Sequence, residues 1–314
     1  MLKILSIILV AIVVIIVAIF IVSKIRAKLP LYSDNYYTKI QAGGEIEEQY
    51  LHMGSYENIE VKKISVQEDF KNYYVVYPAQ MLNGTDKYPI VIYSNGTGMG
   101  ASRYLAQLKR LASWGFIVMG TDEQNSWSGF SSEMCLRLAI RLNKNETPFD
   151  WESNPYTGHF DLERIGVVGG SQGGVGAINA ATDNKHSDMI KTIVALSPAN
   201  LTLVSQHLDW EYDPSLIQIP TLLMSSTGKI DEELIISGEQ LTEIYNKIPN
   251  NVPKLKMRKP NFDHMDMQIQ ADGYVTAWFM WQLQDDSTAA KAFTGDNPEI
   301  YNNKKYQDIK TNLQ

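Results

Sequence analysis

The chain has 314 residues, 44% of them hydrophobic and 20% charged, a balance that suits a packed globular domain and excludes intrinsic disorder. Its net charge is −7, but the first 30 residues hold four bases and no acid, so the remainder stands at −11. That argues against a nucleic-acid partner, whose phosphates need a basic face, and the single cysteine, Cys135, excludes an internal disulfide.

Ile4 to Val22 are apolar apart from Ser6. Nineteen residues at about 1.5 Å each span about 28 Å, close to the hydrocarbon thickness of a bilayer. The run is followed by Ser-Lys-Ile-Arg-Ala-Lys rather than a small-x-small cleavage site, which predicts a retained anchor over a removed signal peptide. Residues 1–30 are therefore read as a transmembrane helix with a basic flank, 31–58 as a linker and first irregular segment, and 59–314 as one α/β domain.

Within that domain, 59–65 and 72–77 alternate apolar and polar residues, as paired strands with one solvated face do. Short apolar runs at 89–93, 116–119, 165–168, 190–196 and 219–225 suit strands buried on both faces. Helices are predicted at 103–113, 131–142, 175–180 and 237–247. The segment 252–257 is read as the last strand, and 271–283 as a closing helix. Strands and helices alternating in this way predict a mostly parallel sheet covered on both faces. Only about twenty residues separate the strands on either side of 199–218, too few for a lid domain, so the region above the sheet is expected to be open.

Gly169-Gly170-Ser171-Gln172-Gly173 lies between one of these strands and a helix, and matches the nucleophile elbow G-x-S-x-G. The glycines keep Cβ atoms out of a crowded turn, the turn lifts the serine hydroxyl above the sheet, and the Gln172 N–H points toward a bound carbonyl. The competing phosphate-loop reading fails because no Gly-Lys-Ser/Thr follows.

A serine hydroxyl needs a base, and in this arrangement the partners follow it in the order acid, then histidine. His52 and His159 precede Ser171, His186 ends the elbow helix, and His207 precedes the strand that should deliver the acid. His264 is the remaining candidate. The acid is expected just past 219–225, where Asp231 is the first choice, with Glu232 and Glu233 as alternatives. A second oxyanion donor is expected from Ser94-Asn95-Gly96-Thr97-Gly98, assigned to the Thr97 N–H with Gly96 and Gly98 as alternates. Asp263 and Asp266 flank one histidine with no second His or Cys nearby, so a catalytic transition metal is not expected. Met99, Trp127, Trp210 and Tyr212 are candidates to line an apolar substrate pocket, or else to serve packing alone.

The segments Tyr93–Thr97, Leu111–Val118, Gly169–Gly174 and His264–Met267, with Ala277-Trp278-Phe279 and Phe293-Thr294-Gly295, resemble the α/β-hydrolase superfamily, in the branch of chlorophyllases, bacterial cutinases and polyester hydrolases. The resemblance implies a carboxylic ester substrate, no cofactor, a triad of Ser171, Asp231 and His264, and oxyanion donors at Thr97 and Gln172. The chain departs from polyester hydrolases of this branch in three places. Thr97 stands where they tend to carry an aromatic, Gly170 stands where they carry a bulky residue, and Ala199 lies near the position of an aromatic clamp. Their C-terminal disulfide is impossible with one cysteine.

The resulting expectation is a membrane-anchored serine hydrolase acting on a small-molecule or lipid-like ester, with the catalytic domain on the extracellular side. Acyl transfer or peptide cleavage by the same triad, or a tethered binding module that keeps the fold without turnover, are the alternatives.

Overall fold

The computed structural model describes residues 29–66, 70–146 and 151–313. The expected membrane span at 4–22 lies outside the described residues; among those described, no helix is long and apolar enough to cross a membrane.

One nine-stranded sheet organises the chain: β1 (Ile59–Ser65), β2 (Asn72–Pro78), β3 (Tyr88–Ser94), β4 (Ile117–Thr121), β5 (Phe160–Gly170), β6 (Ile190–Leu196), β7 (Thr221–Ser226), β8 (Lys254–Lys259) and β9 (Gln307–Thr311). Their spatial order is β1-β2-β4-β3-β5-β6-β7-β8-β9. From β4 through β8 all neighbours run parallel, while β1, β2 and β9 add antiparallel edges.

The principal helices are α1 (Glu45–Leu51), α2 (Leu105–Ala112), α3 (Phe130–Asn143), α4 (Gln172–Thr182), α5 (Gly238–Lys247) and α6 (Asp272–Gln284). The central strands feed two cores because successive side chains point to opposite faces. Ile90, Ile92, Val167 and Ile193 face a core shared with α3, α4 and α5. Val91, Val168, Val194 and Leu222 face a second, shared with α2 and α6. Strands buried on both faces read as continuous apolar runs, which is why they were legible.

Two predicted features are corrected. Residues 254–259 form a strand, but it is not the last: β9 pairs antiparallel beside it. Nor is α6 the closing element, since two short helices and β9 follow it. In addition, the expected linker region contains α1, whose Tyr50 is buried in the second core.

Candidate functional site

β5 delivers Ser171 to the carboxyl edge of the sheet. Ser171 has φ +58° and ψ −122°, a conformation costly for a residue with a Cβ and tolerated where surrounding contacts enforce it. Its N–H donates to Leu196 O at 2.8 Å, which fixes the elbow against the end of β6. The tightness of the turn explains its glycines: a Cβ on Gly173 would collide with the carbonyl of Ser94, and one on Gly169 with the carbonyl of Gly173. Ser171 is half-buried, and its hydroxyl is hydrogen-bonded to no other described residue.

Asp231 follows β7 and is fully buried. Its Oδ1 lies 2.6 Å from His264 Nδ1. Its Oδ2 accepts from Ser197 Oγ at 2.6 Å, Ser226 N at 2.9 Å and Ser226 Oγ at 2.5 Å. Burial alone would raise the carboxyl's pKa; the hydrogen bonds from His264, Ser197 and Ser226 outweigh it and hold the pKa below the ordinary aspartate value. Ser197 stands one residue past Leu196, the acceptor of the Ser171 N–H, so the acid and the elbow meet across the end of β6. From the other side, a Cβ on Gly170 would lie 3.0 Å from Cγ of Gln268, four residues beyond His264. Ser171, Asp231 and His264 thus stand on neighbouring loops of one sheet edge.

The alternative acids point elsewhere. Glu232 pairs with Arg258, and Glu233 with Lys229. Of the other histidines, His186 pairs with Glu133 at 2.8 Å, His52 with Glu48 at 2.8 Å, and His159 Nδ1 meets Asp86 O at 3.1 Å. His207 is exposed, on the short turn 204–208. Asp263 holds the histidine loop, its Oδ1 accepting from His264 N at 2.8 Å and Ile230 N at 3.0 Å. Among the described residues, no group of three His, Cys, Asp or Glu could hold a metal.

The loop after β3 lies beside the elbow because Ser94 pairs with Gly169. Within it, Gly98 N–H donates to Gln124 O and Met99 N–H to Gly96 O, while Gly96 is packed against the Tyr104 hydroxyl. The Thr97 N–H has no backbone partner among the described residues, and Thr97 is exposed. The Gln172 N–H, at the first turn of α4, has no intrahelical acceptor. Its side chain is engaged away from the hydroxyl: Oε1 accepts from Ser126 N at 2.7 Å, pinning the loop after β4.

Of the four apolar-pocket candidates, three come together. Trp127 and Trp210 stack with centroids 6.3 Å apart, and Tyr212 joins them around Val175, Ala199 and Val204, one turn along α4 from Ser171. Met99 packs instead against the core on the opposite face of the sheet.

The profile of the PET hydrolase-like family matches residues 41–312, nearly the whole described fold. The chain belongs to the PET hydrolase-like family. That places it in the α/β-hydrolase superfamily, in the cutinase and polyester hydrolase branch, and makes it a hydrolase. No curated protein matches it. This PET hydrolase-like chain carries site features that sequence reasoning missed. Ser197 and Ser226 grip the acid, and Gln268, buried beneath Gly170, fills space that a bulky residue before the nucleophile would need. None of them stands in a local motif, since each acts across elements distant in sequence.

Proposed function

We propose that the protein is a membrane-anchored serine hydrolase that cleaves carboxylic esters through an acyl-enzyme. The observation that carries the reading is the 2.6 Å contact between Asp231 and His264 Nδ1, on the sheet edge that also bears Ser171 in a strained elbow. Asp231, kept ionised by its hydrogen bonds, accepts a hydrogen bond from His264 Nδ1–H, which holds the tautomer that leaves Nε2 free to act as base. His264 takes the Ser171 proton as Oγ attacks the ester carbonyl. The Gln172 and Thr97 amides hold the developing oxyanion, a contribution worth ~10²–10³ in turnover per donor. His264 then protonates the departing alcohol. Water repeats the sequence on the acyl-enzyme and releases the carboxylic acid.

Trp127, Trp210 and Tyr212 form an apolar shelf for the substrate beside α4. Residues 4–22 hold the enzyme to the cell membrane, with the catalytic domain outside. The test is a graded series of p-nitrophenyl esters against wild type and Ser171→Ala. Hydrolysis that vanishes in the variant supports the reading; hydrolysis that survives it removes Ser171 from the reaction.

A further inference from the structure

We propose that the catalytic edge of the sheet faces the bilayer that holds the protein's own anchor, and that the apolar side chains on its rim rest against that bilayer, so the ester is an acyl lipid drawn from it. This rests on the serine-hydrolase and anchor readings above.

Two independent observations converge on the same edge. The first is a set of uncovered apolar side chains on the segments that carry the acid and the histidine and on the one beside them; other exposed apolar residues, such as Val61, Leu216 and Tyr301, stand apart from it. Leu208 is 37% exposed, Ile230 45%, Leu234 58% and Met265 41%. Each stands on a segment that follows the carboxyl end of a strand: β6 for Leu208, β7 for Ile230 and Leu234, and β8 for Met265. Ile230 precedes Asp231, and Met265 follows His264. Scattered exposed apolar residues are ordinary, but these are joined. Ile230 N–H donates to Asp263 Oδ1 at 3.0 Å, and Asn200 N–H to Ile235 O at 2.9 Å, so the segments after β6, β7 and β8 form one rim.

The second is where the described chain begins. Leu31 N–H donates to Arg103 O at 2.9 Å, just past the oxyanion loop, and the Tyr32 hydroxyl donates to Met265 O at 3.2 Å, beside His264. The chain therefore enters the domain at the rim itself. Only residues 23–28 separate the end of the apolar run from Leu29. Fully extended, that connection spans at most about 25 Å. A domain of this size is about 50 Å across, so so short a tether holds the near edge toward the membrane and the far edge away from it.

The experiment uses the full chain in vesicles of phosphatidylcholine and phosphatidylglycerol, part of the lipid carrying brominated acyl chains that quench a nearby fluorophore. Cys135 is buried, so a thiol-reactive probe can be directed to Leu234→Cys, to Met265→Cys as a second rim position, and to Glu163→Cys near the amino end of β5. The proposal expects at least threefold stronger quenching at both rim positions than at 163. Equal quenching at the two edges, stronger quenching at 163, or none at the rim overturns it. So does self-quenching between labelled rims without lipid quenching, which would identify a second copy as the occupant. Fluorophosphonate labelling in the same vesicles separates the two readings. A labelled but unquenched rim refutes the orientation alone, and a quenched rim without labelling refutes the serine hydrolase alone.

Discussion

Asp231 is buried and accepts four hydrogen bonds, so its proton affinity couples the fold to pH. Its folded pKa lies below the unfolded value of about 3.9. The unfolded chain therefore binds that proton more readily. The stabilisation is complete above the unfolded value and is lost as pH falls through the folded one. Urea midpoints measured from pH 7 down to pH 3 should fall more steeply in wild type than in Asp231→Asn, and parallel curves would contradict this. In turnover, Asp231→Asn should lower kcat by about 10⁴, because the imidazole loses its tautomer anchor. Ser226→Ala removes one of the grips on Oδ2 in a dry site and should cost about 1–3 kcal/mol by chemical denaturation. Thr97 is assigned through its amide, so Thr97→Ala should change kcat by only a few-fold. A loss of 10²–10³ would place the donor on its hydroxyl instead.

At the scale of elements, the elbow is the tightest joint. Gly173 lies where α4 crosses the end of β3, and its missing Cβ is what lets the helix approach the carbonyl of Ser94. Gly173→Ala should destabilise the protein by at least about 2 kcal/mol, read as a lowered denaturant midpoint. An unchanged midpoint would mean the helix can retreat. This joint was legible in advance because the requirement is local: small residues at fixed offsets around one serine. The parallel strands were legible for a similar reason, as runs such as Ile193-Val194-Ala195-Leu196 are apolar on both faces. β9 was not. In Gln-Asp-Ile-Lys-Thr only Ile309 is apolar, because an edge strand has little to bury and draws its stability from pairing with β8.

At the scale of the molecule, a buried polar network ties the first described segment to the last. Lys259 and Glu47 are both buried and pair at 3.1 Å; Tyr306, Asn303 and the carbonyl of Gln270 satisfy the remaining valences. Nearby, buried Arg110 bonds the Tyr36 hydroxyl, the carbonyls of Tyr50 and Leu51, and Thr276. Residues 36–51 are thus part of the domain, though composition suggested a linker: their apolar content is low because they dock largely through buried polar contacts. Glu47→Ala leaves the Lys259 charge buried and alone, and should cost about 3–5 kcal/mol in a denaturant titration. A loss below about 1 kcal/mol would show that the network is dispensable. The whole arrangement serves one claim, that the Ser171 hydroxyl is a nucleophile activated by His264. Peptide mapping by mass after fluorophosphonate treatment tests it most directly. The prediction is one adduct, on the peptide carrying Ser171, absent from Ser171→Ala and strongly reduced in His264→Ala; an adduct on another serine, or one that persists in Ser171→Ala, would contradict it.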